Sequence, residues 1–177
     1  MEIKILDMIQ YLHTTVGDYF FIGIKKLGDA GIIWIFLTIL LLILPKMRKY
    51  GLAMLVGLCI DVIVCNGLLK NLVARTRPCD VNTAIQLLIS HPTYYSLPSG
   101  HTAASFTAVA ALYFSGDKKI WKAAIVLGIL IAFSRMYLYV HYPTDILGGA
   151  LIGIFSGFVG AKIVCYIMKK RKMKQII

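Results

Sequence analysis

Five apolar runs, at about 30–45, 50–69, 101–115, 122–137 and 146–168, constrain this chain more than any other feature. A helix needs about 20 apolar residues to cross the hydrocarbon of a bilayer, so the first, third and fourth runs are short for full spans. Composition agrees with a membrane setting: 59% of residues are hydrophobic and the mean hydropathy is +0.78, against about 45–50% apolar residues in a soluble domain. A chain of 177 residues has too little interior to hide that much apolar surface from water. The expected fold is an all-α integral membrane protein, a bundle of five transmembrane helices, or six if the N-terminal segment also crosses. One domain over 1–177 is expected, with an N-terminal interfacial region at 1–29, the helical bundle at 30–168 and a basic cytoplasmic tail at 169–177. Met1-Glu2-Ile3-Lys4 does not open a basic, then apolar, then small-residue signal. The first span is therefore expected to direct insertion.

At residues 2–13, Ile5, Met8, Ile9 and Leu12 share one helical face, with Glu2, Lys4, Asp7 and Gln10 elsewhere. That pattern predicts an amphipathic helix on the membrane surface or packed on the domain. Charge then sets orientation. Threading five spans in order puts twelve of the 19 Lys and Arg on one side: Lys46, Arg48, Lys49, Lys118, Lys119, Lys122, Lys162, Lys169, Lys170, Arg171, Lys172 and Lys174. Asp117 is the one acid among them. The positive-inside rule makes that side cytoplasmic in a plasma membrane, C-terminus included. The basic tail reads as a topology signal, and no nucleic-acid partner is expected. Cys59, Cys65, Cys79 and Cys165 form no Cys-x-x-Cys pair and read as small buried hydrophobes.

Outside the N-terminal region, the cations left are Lys70, Arg75, Arg77 and Arg135, all at the face opposite the basic loops, where His101, His141 and Asp145 also fall. They belong to three strings: Lys70-x6-Arg77-Pro78, Pro98-Ser99-Gly100-His101, and Ser134-Arg135-x5-His141-x3-Asp145. Phosphoryl transfer asks mainly for positioning and charge stabilisation, which Lys70, Arg77 and Arg135 can supply. Ser99 and Gly100 precede an apolar run and so mark a helix N-terminus, where N–H groups face an anion. Asp145, four residues past His141, can bond one ring nitrogen and leave the other nucleophilic.

These three strings, in this order, resemble the type-2 phosphatidic acid phosphatase family, whose site is similar to those of bacterial acid phosphatases and vanadium haloperoxidases. The resemblance implies a lipid phosphate phosphatase in the bilayer, with His141 as nucleophile, Asp145 as its orienter and His101 as acid and then base. It further implies Lys70, Arg77, Ser99, Gly100 and Arg135 as phosphate ligands, and neither metal nor cofactor. Family members act on undecaprenyl diphosphate, phosphatidylglycerophosphate and phosphatidic acid. Undecaprenyl diphosphate is favoured here, because an outward site matches where that lipid is released. The family usually has six spans, one more than are counted here.

Rival readings are weaker. A metal at His101, His141 and Asp145 would be repelled by three nearby cations. A haloperoxidase would share the residues but not the membrane embedding, and a transporter would need three accidental strings. A lipid-to-lipid phosphotransferase differs only in acceptor. Arg75 reads either as a phosphate contact or as a headgroup anchor, and Asp61, inside the second run, as a structural acid near Asn66. Tyr94, Tyr95, Tyr137, Tyr139 and Tyr142 read as an interfacial belt, and His13 and His91 as ordinary packed residues. Twelve residues separate Lys122 from Arg135, roughly 18–20 Å of helix against about 30 Å of hydrocarbon. The phosphate pocket is therefore expected below the outer headgroup plane, with residues 79–97 as its cover.

Overall fold

A computed structural model describes residues 1–174; its regular structure is all helical, with an irregular segment at 82–99 and no strand among the described residues. The helices are α1 (Glu2–Gln10), α2 (Thr15–Gly28), α3 (Ile32–Ile43), α4 (Arg48–Asp61), α5 (Lys70–Val73), α6 (Pro78–Val81), α7 (Gly100–Ser115), α8 (Ile120–Tyr137) and α9 (Pro143–Lys174). Four helical stretches, two of them interrupted, are long and apolar enough to cross a membrane: Thr15–Ile43, Arg48–Val81, Ile120–Tyr137 and Pro143–Arg171. The expected basic tail continues α9 as far as Lys174, and 175–177 lie outside the described residues.

The third expected span is α7, only 16 residues long and the most enclosed helix of the bundle. Its buried positions are mostly Ala, Ser and Thr, including Ala103, Ser105, Thr107, Ala108, Ala110 and Ala111. Small side chains let neighbouring backbones approach closely, the usual basis of helix packing in lipid. The partner surface on α9 is a run of Gly149, Gly153 and Gly157. A Cβ built at Gly149 would lie 2.6 Å from the Ser99 carbonyl oxygen, and one at Gly157 2.7 Å from Ala110 Cβ. Gly160 meets α4 in the same way, 2.6 Å from the Gly57 nitrogen.

The N-terminal region departs from expectation. Residues 15–28, assigned to the interfacial region, form α2, which runs on through a kink into α3. Asp18, Lys25, Lys26 and Asp29 obscured this in the sequence. Asp18 takes a 2.7 Å hydrogen bond from the Tyr137 hydroxyl and sits 2.9 Å from His13, and Lys25 pairs with Asp29 at 2.6 Å. Paired charges cost far less in a helix than isolated ones. The helix α1 is packed on the bundle: Leu6 is fully buried with Tyr139, Tyr142 and Cys79, and Asp7 accepts the Tyr139 hydroxyl at 2.6 Å. Tyr137, Tyr139 and Tyr142 are thus buried ties between α1, α2 and the bundle, not members of an interfacial belt, whereas Tyr94 and Tyr95 are exposed. Cys59 is exposed and Cys165 half-buried, so the reading of the cysteines as buried holds for Cys65 and Cys79.

Two backbone irregularities shape the site end. At Asp29–Gly31 the chain makes a 3-10 turn, with Ala30 at φ 50° and Gly31 at φ 68°. Positive φ at alanine is strained, and such strain clusters at functional positions. Beyond α4, Val62–Leu69 winds as a π-helix before α5, an arrangement that also favours functional sites. At the opposite end, Asp117 accepts the backbone N–H groups of Lys119 (3.2 Å) and Trp121 (2.9 Å) at the start of α8. This explains the one acid among the twelve cations.

Candidate active site

The three strings converge at one end of the bundle. A cavity of about 260 Å³ there is lined by Lys25, Asp29, Lys70, Arg77, His101, Arg135 and His141, with residues 89–94 over it. Arg77 is 5% exposed and Arg135 2% exposed. Carbonyls hold the Arg77 guanidinium: Nε donates to Tyr94 O (2.6 Å) and Nη1 to Val140 O (2.8 Å), while Nη1 lies 3.3 Å from His141 Nε2. The Arg135 guanidinium meets the Ser134 hydroxyl at 3.1 and 3.2 Å, and Lys70 Nζ donates to Asn66 Oδ1 at 3.3 Å. None of Lys70, Arg77 and Arg135 pairs with a carboxylate among the described residues, where the Lys and Arg ion pairs are those of Lys25 and Arg75. Cations gathered in a cavity without counter-ions are costly unless an anion enters.

His141 is 3% exposed, in the turn between α8 and α9. Its Nδ1 lies 3.4 Å from Asp145 Oδ2, in range for charge interaction but off the alignment of a hydrogen bond. Burial pushes the His141 pKa down to about 4; Asp145 opposes that and Arg77 and Arg135 add to it. The ring is therefore neutral near pH 7, with Nε2 facing the cavity side where Arg77 stands. Asp145 is fully buried and takes further bonds from the Ser96 hydroxyl and the Tyr142 N–H.

The second string divides. His101 lines the cavity. Gly100 lines an adjoining groove, with the Lys70 ammonium 3.7 Å from where its Cβ would be. Ser99 lies behind, fully buried, as the N-cap of α7: its Oγ accepts from the Thr102 N–H and hydroxyl, and its N–H donates to the Asp145 carbonyl. The Ser99 hydroxyl therefore serves the helix first. In the first turn of α7, the N–H groups of Gly100 and His101 have no intrahelical partner.

Asp29, at the kink before α3, was not singled out in the sequence. Its Oδ1 lies 3.2 Å from His101 Nε2, and its Oδ2 holds Lys25. No local motif marks it. The available signal was an acid beside two glycines, Gly28 and Gly31, at the head of an apolar run. Asp61, read as a structural acid near Asn66, is 1% exposed with Oδ1 unpartnered, and it lines the adjoining groove. Cys79, Asp80 and His91 lie close together on the cover, where His91 bonds Asp80 at 2.6 Å. His13 is packed on Tyr137.

The adjoining groove, about 560 Å³, is lined by Ile35, Leu58, Val62, Tyr95 and Ala104 among others, and shares Lys70, Tyr94 and His101 with the cationic cavity. An apolar groove running into a cationic pocket, within a bundle of apolar helices, defines a membrane enzyme acting on phosphate esters. Residues 46–171 match the PAP2 superfamily, and the chain belongs to it. It is a multi-pass membrane phosphatase. The chain is similar to the undecaprenyl-diphosphatase of Sulfolobus acidocaldarius, 30% identical over 92% of this chain and 78% of that protein. It is also similar to the undecaprenyl-diphosphatase BcrC of Bacillus subtilis, 30% identical over 83% and 75%. Among solved structures, Aquifex aeolicus LpxE superposes with a TM-score of 0.77 at 29% identity, over 91% of this chain and 94% of that one.

Proposed function

We propose that the protein hydrolyses a prenyl diphosphate, undecaprenyl diphosphate above all, through a phospho-histidine intermediate and without metal. The observation that carries this is the gathering of Lys70, Arg77 and Arg135 around the cavity beside His141 Nε2, with no carboxylate among the described residues paired to them. These cations take the oxygens of the terminal phosphate, with the Gly100 and His101 N–H groups at the head of α7 and the buried Ser99 behind. The neutral Nε2 of His141 attacks phosphorus, and the bond from phosphorus to the bridging oxygen breaks. His101, whose Nε2–H is held by Asp29, takes up a second proton at Nδ1 when the diphosphate anion enters beside it and gives that proton to the departing lipid phosphate. It then takes a proton from water as that water displaces His141 and frees inorganic phosphate. Asp145 steadies the charge that His141 acquires.

The site opens on the extracytoplasmic face, with α9 ending in the cytoplasm. The groove beside Lys70 takes the first part of the lipid chain, which enters sideways from the outer leaflet. Support comes from the twelve basic residues assigned to the other end and from the undecaprenyl-diphosphatases among the relatives.

The test is phosphate release from a panel of prenyl diphosphate, phosphatidylglycerophosphate and phosphatidic acid in mixed micelles, with His141→Gln as control. Turnover on the diphosphate and none in the variant is expected. Equal rates in variant and wild type would refute the mechanism, and preference for phosphatidylglycerophosphate would replace the substrate. Cysteines at residues 84–90, in a background without the native four, should react with an impermeant reagent outside intact cells. Labelling from the cytoplasmic side alone would reverse the orientation.

A further inference from the structure

We propose that Arg75 and Glu2 are positioning residues for catalysis, sharing one charge so that α1 sets how strongly Asp145 acts on His141. The proposal rests on the reading of His141 as nucleophile. Arg75 lines neither cavity. Its Nη1 lies 2.7 Å from Asp145 Oδ1 and 2.7 Å from Thr144 Oγ1, its Nη2 pairs with Glu2, and its guanidinium stacks 3.9 Å from the Tyr142 ring centroid. Glu2 in turn accepts the Thr144 N–H (3.1 Å) and hydroxyl (2.6 Å). The Arg75 carbonyl accepts the Ser96 N–H at 2.8 Å, and the Ser96 hydroxyl bonds Asp145 Oδ2. Arg75 thus reaches both oxygens of the catalytic-site carboxylate, one by its side chain and one through its backbone.

A carboxylate has about four acceptor positions. Those of Asp145 are used by Arg75, Ser96 and Tyr142, and the remaining direction faces His141 Nδ1 at 3.4 Å. Asp145 is fully buried, so its field on His141 depends on how much of its charge Arg75 neutralises. Glu2 competes for the same guanidinium. Removing Arg75 strengthens the negative field at His141 and favours the protonated ring. Removing the Glu2 charge leaves Arg75 to Asp145 alone and does the opposite. The other charged groups facing His141 are Arg77 at 3.3 Å, Arg135 and His101, with Lys70, Lys25 and Asp29 around the same cavity. None of these bonds Arg75 or Glu2.

The experiment compares wild type, Arg75→Gln, Arg75→Lys, Glu2→Gln and His141→Gln, purified in detergent, on whichever lipid of the panel wild type turns over fastest. For Arg75→Gln, kcat should fall about tenfold, with KM unchanged. The acid limb of kcat/KM should move up by about half a pH unit or more. Arg75→Lys should return the limb towards wild type. Glu2→Gln should move it down, with kcat within about threefold of wild type. Opposite limb shifts from neighbouring substitutions are not a consequence of general loosening. A raised KM with an unmoved limb in Arg75→Gln would make Arg75 a phosphate ligand and overturn the proposal. So would wild-type kcat and limb in both neutral variants. If Arg75→Gln does not fold, the sign of the Glu2→Gln shift decides, because that change alters charge and not shape. Activity retained in His141→Gln would instead refute the nucleophile, a distinguishable failure.

Discussion

Gly153→Ala should reduce activity far more than a single methyl group on an apolar helix ordinarily does. A Cβ at Gly153 would lie 2.9 Å from the Thr107 nitrogen and 3.0 Å from Phe106 Cβ, and closer still to the Ala103 carbonyl oxygen. Two of these are backbone atoms of α7, so no side chain can swing aside. Relief comes from moving α7 and α9 apart, by most of an ångström to restore ordinary contact. That separation acts directly on the site. The N-terminal end of α7 carries Ser99, Gly100 and His101, and α9 begins two residues before Asp145. Overpacking of this kind costs about 1–3 kcal/mol of stability. A displacement of about 1 Å at reacting groups can lower the rate about a hundredfold. Thermal unfolding in detergent and kcat measured side by side should both fall. Gly23→Ala, also within a helix but with nothing within 4 Å of the added Cβ, is the control, and it should be neutral or stabilising by up to about 1 kcal/mol. Wild-type kcat and unfolding temperature in Gly153→Ala would refute the argument that the glycine seam sets the spacing of the site.

Asp29→Asn should lower kcat by about tenfold, the scale of a hydrogen bond to a charged group, on an alkyl phosphate ester such as phosphatidic acid, whose alkoxide leaving group needs a proton, with a smaller loss on a nitrophenyl phosphate ester, whose leaving group does not; equal losses on both esters would remove Asp29 from the orientation of His101. His101→Ala should show the same selectivity more strongly, since a positioned acid contributes roughly 10²–10⁴-fold. If His141 is the nucleophile as proposed, the acid limb of kcat/KM should lie well below pH 6.5, because the ring must be neutral and burial lowers its pKa to about 4; as pH falls, activity should persist until His141 protonates, and a limb at or above 6.5 would contradict this. Chelators should leave the rate unchanged, while vanadate should inhibit through a five-coordinate form held by Lys70, Arg77 and Arg135.

The site was legible where its chemistry is written in contiguous strings. Lys70, Arg77, His101, Arg135 and His141 line one cavity as spacing and charge sorting implied. Ser99 was legible as a helix N-cap, but its burial behind the cavity was not, because a cap and a ligand use the same hydroxyl. Asp29 and Glu2 were missed for a different reason. Each meets its partner across a long sequence separation, 72 residues for Asp29 and His101 and 73 for Glu2 and Arg75, and no period or spacing records such contacts. In the fold, α4, α7, α8 and α9 followed from apolar runs. The helix α2 did not, since its charges read as interfacial until their partners were known. The glycines of α9 were readable in principle, as small residues at every fourth position, the packing pattern of helices in lipid.

The irregular backbone and the depth of the site are linked. The stretch Thr15–Ile43 could cross a bilayer as one straight helix, yet it breaks at Asp29–Gly31, next to His101. The stretch Arg48–Val81 leaves α-geometry at Val62–Leu69, just before Lys70. Non-helical backbone at membrane depth is tolerated only where it is buried in protein or lines a cavity, and both breaks border the cavities that receive Lys70 and His101. A regular helix presents side chains at fixed angles, so bringing Asp29 to His101 and Lys70 to Gly100 demands a change of pitch. Distortion on two helices, each costing helix stability, fits the proposal that charged groups meet below the headgroup plane and that lipid reaches them from the side. Straightening the first break therefore supplies the last test. Gly31→Ala, at φ 68° with open space around its Cβ, introduces backbone strain of about 1 kcal/mol or more without a clash. It should lower kcat by shifting Asp29 while leaving the cationic pocket, and hence inhibition by inorganic phosphate, close to wild type. A matched loss of kcat and phosphate affinity would mean that the kink supports the pocket as a whole and not His101 in particular.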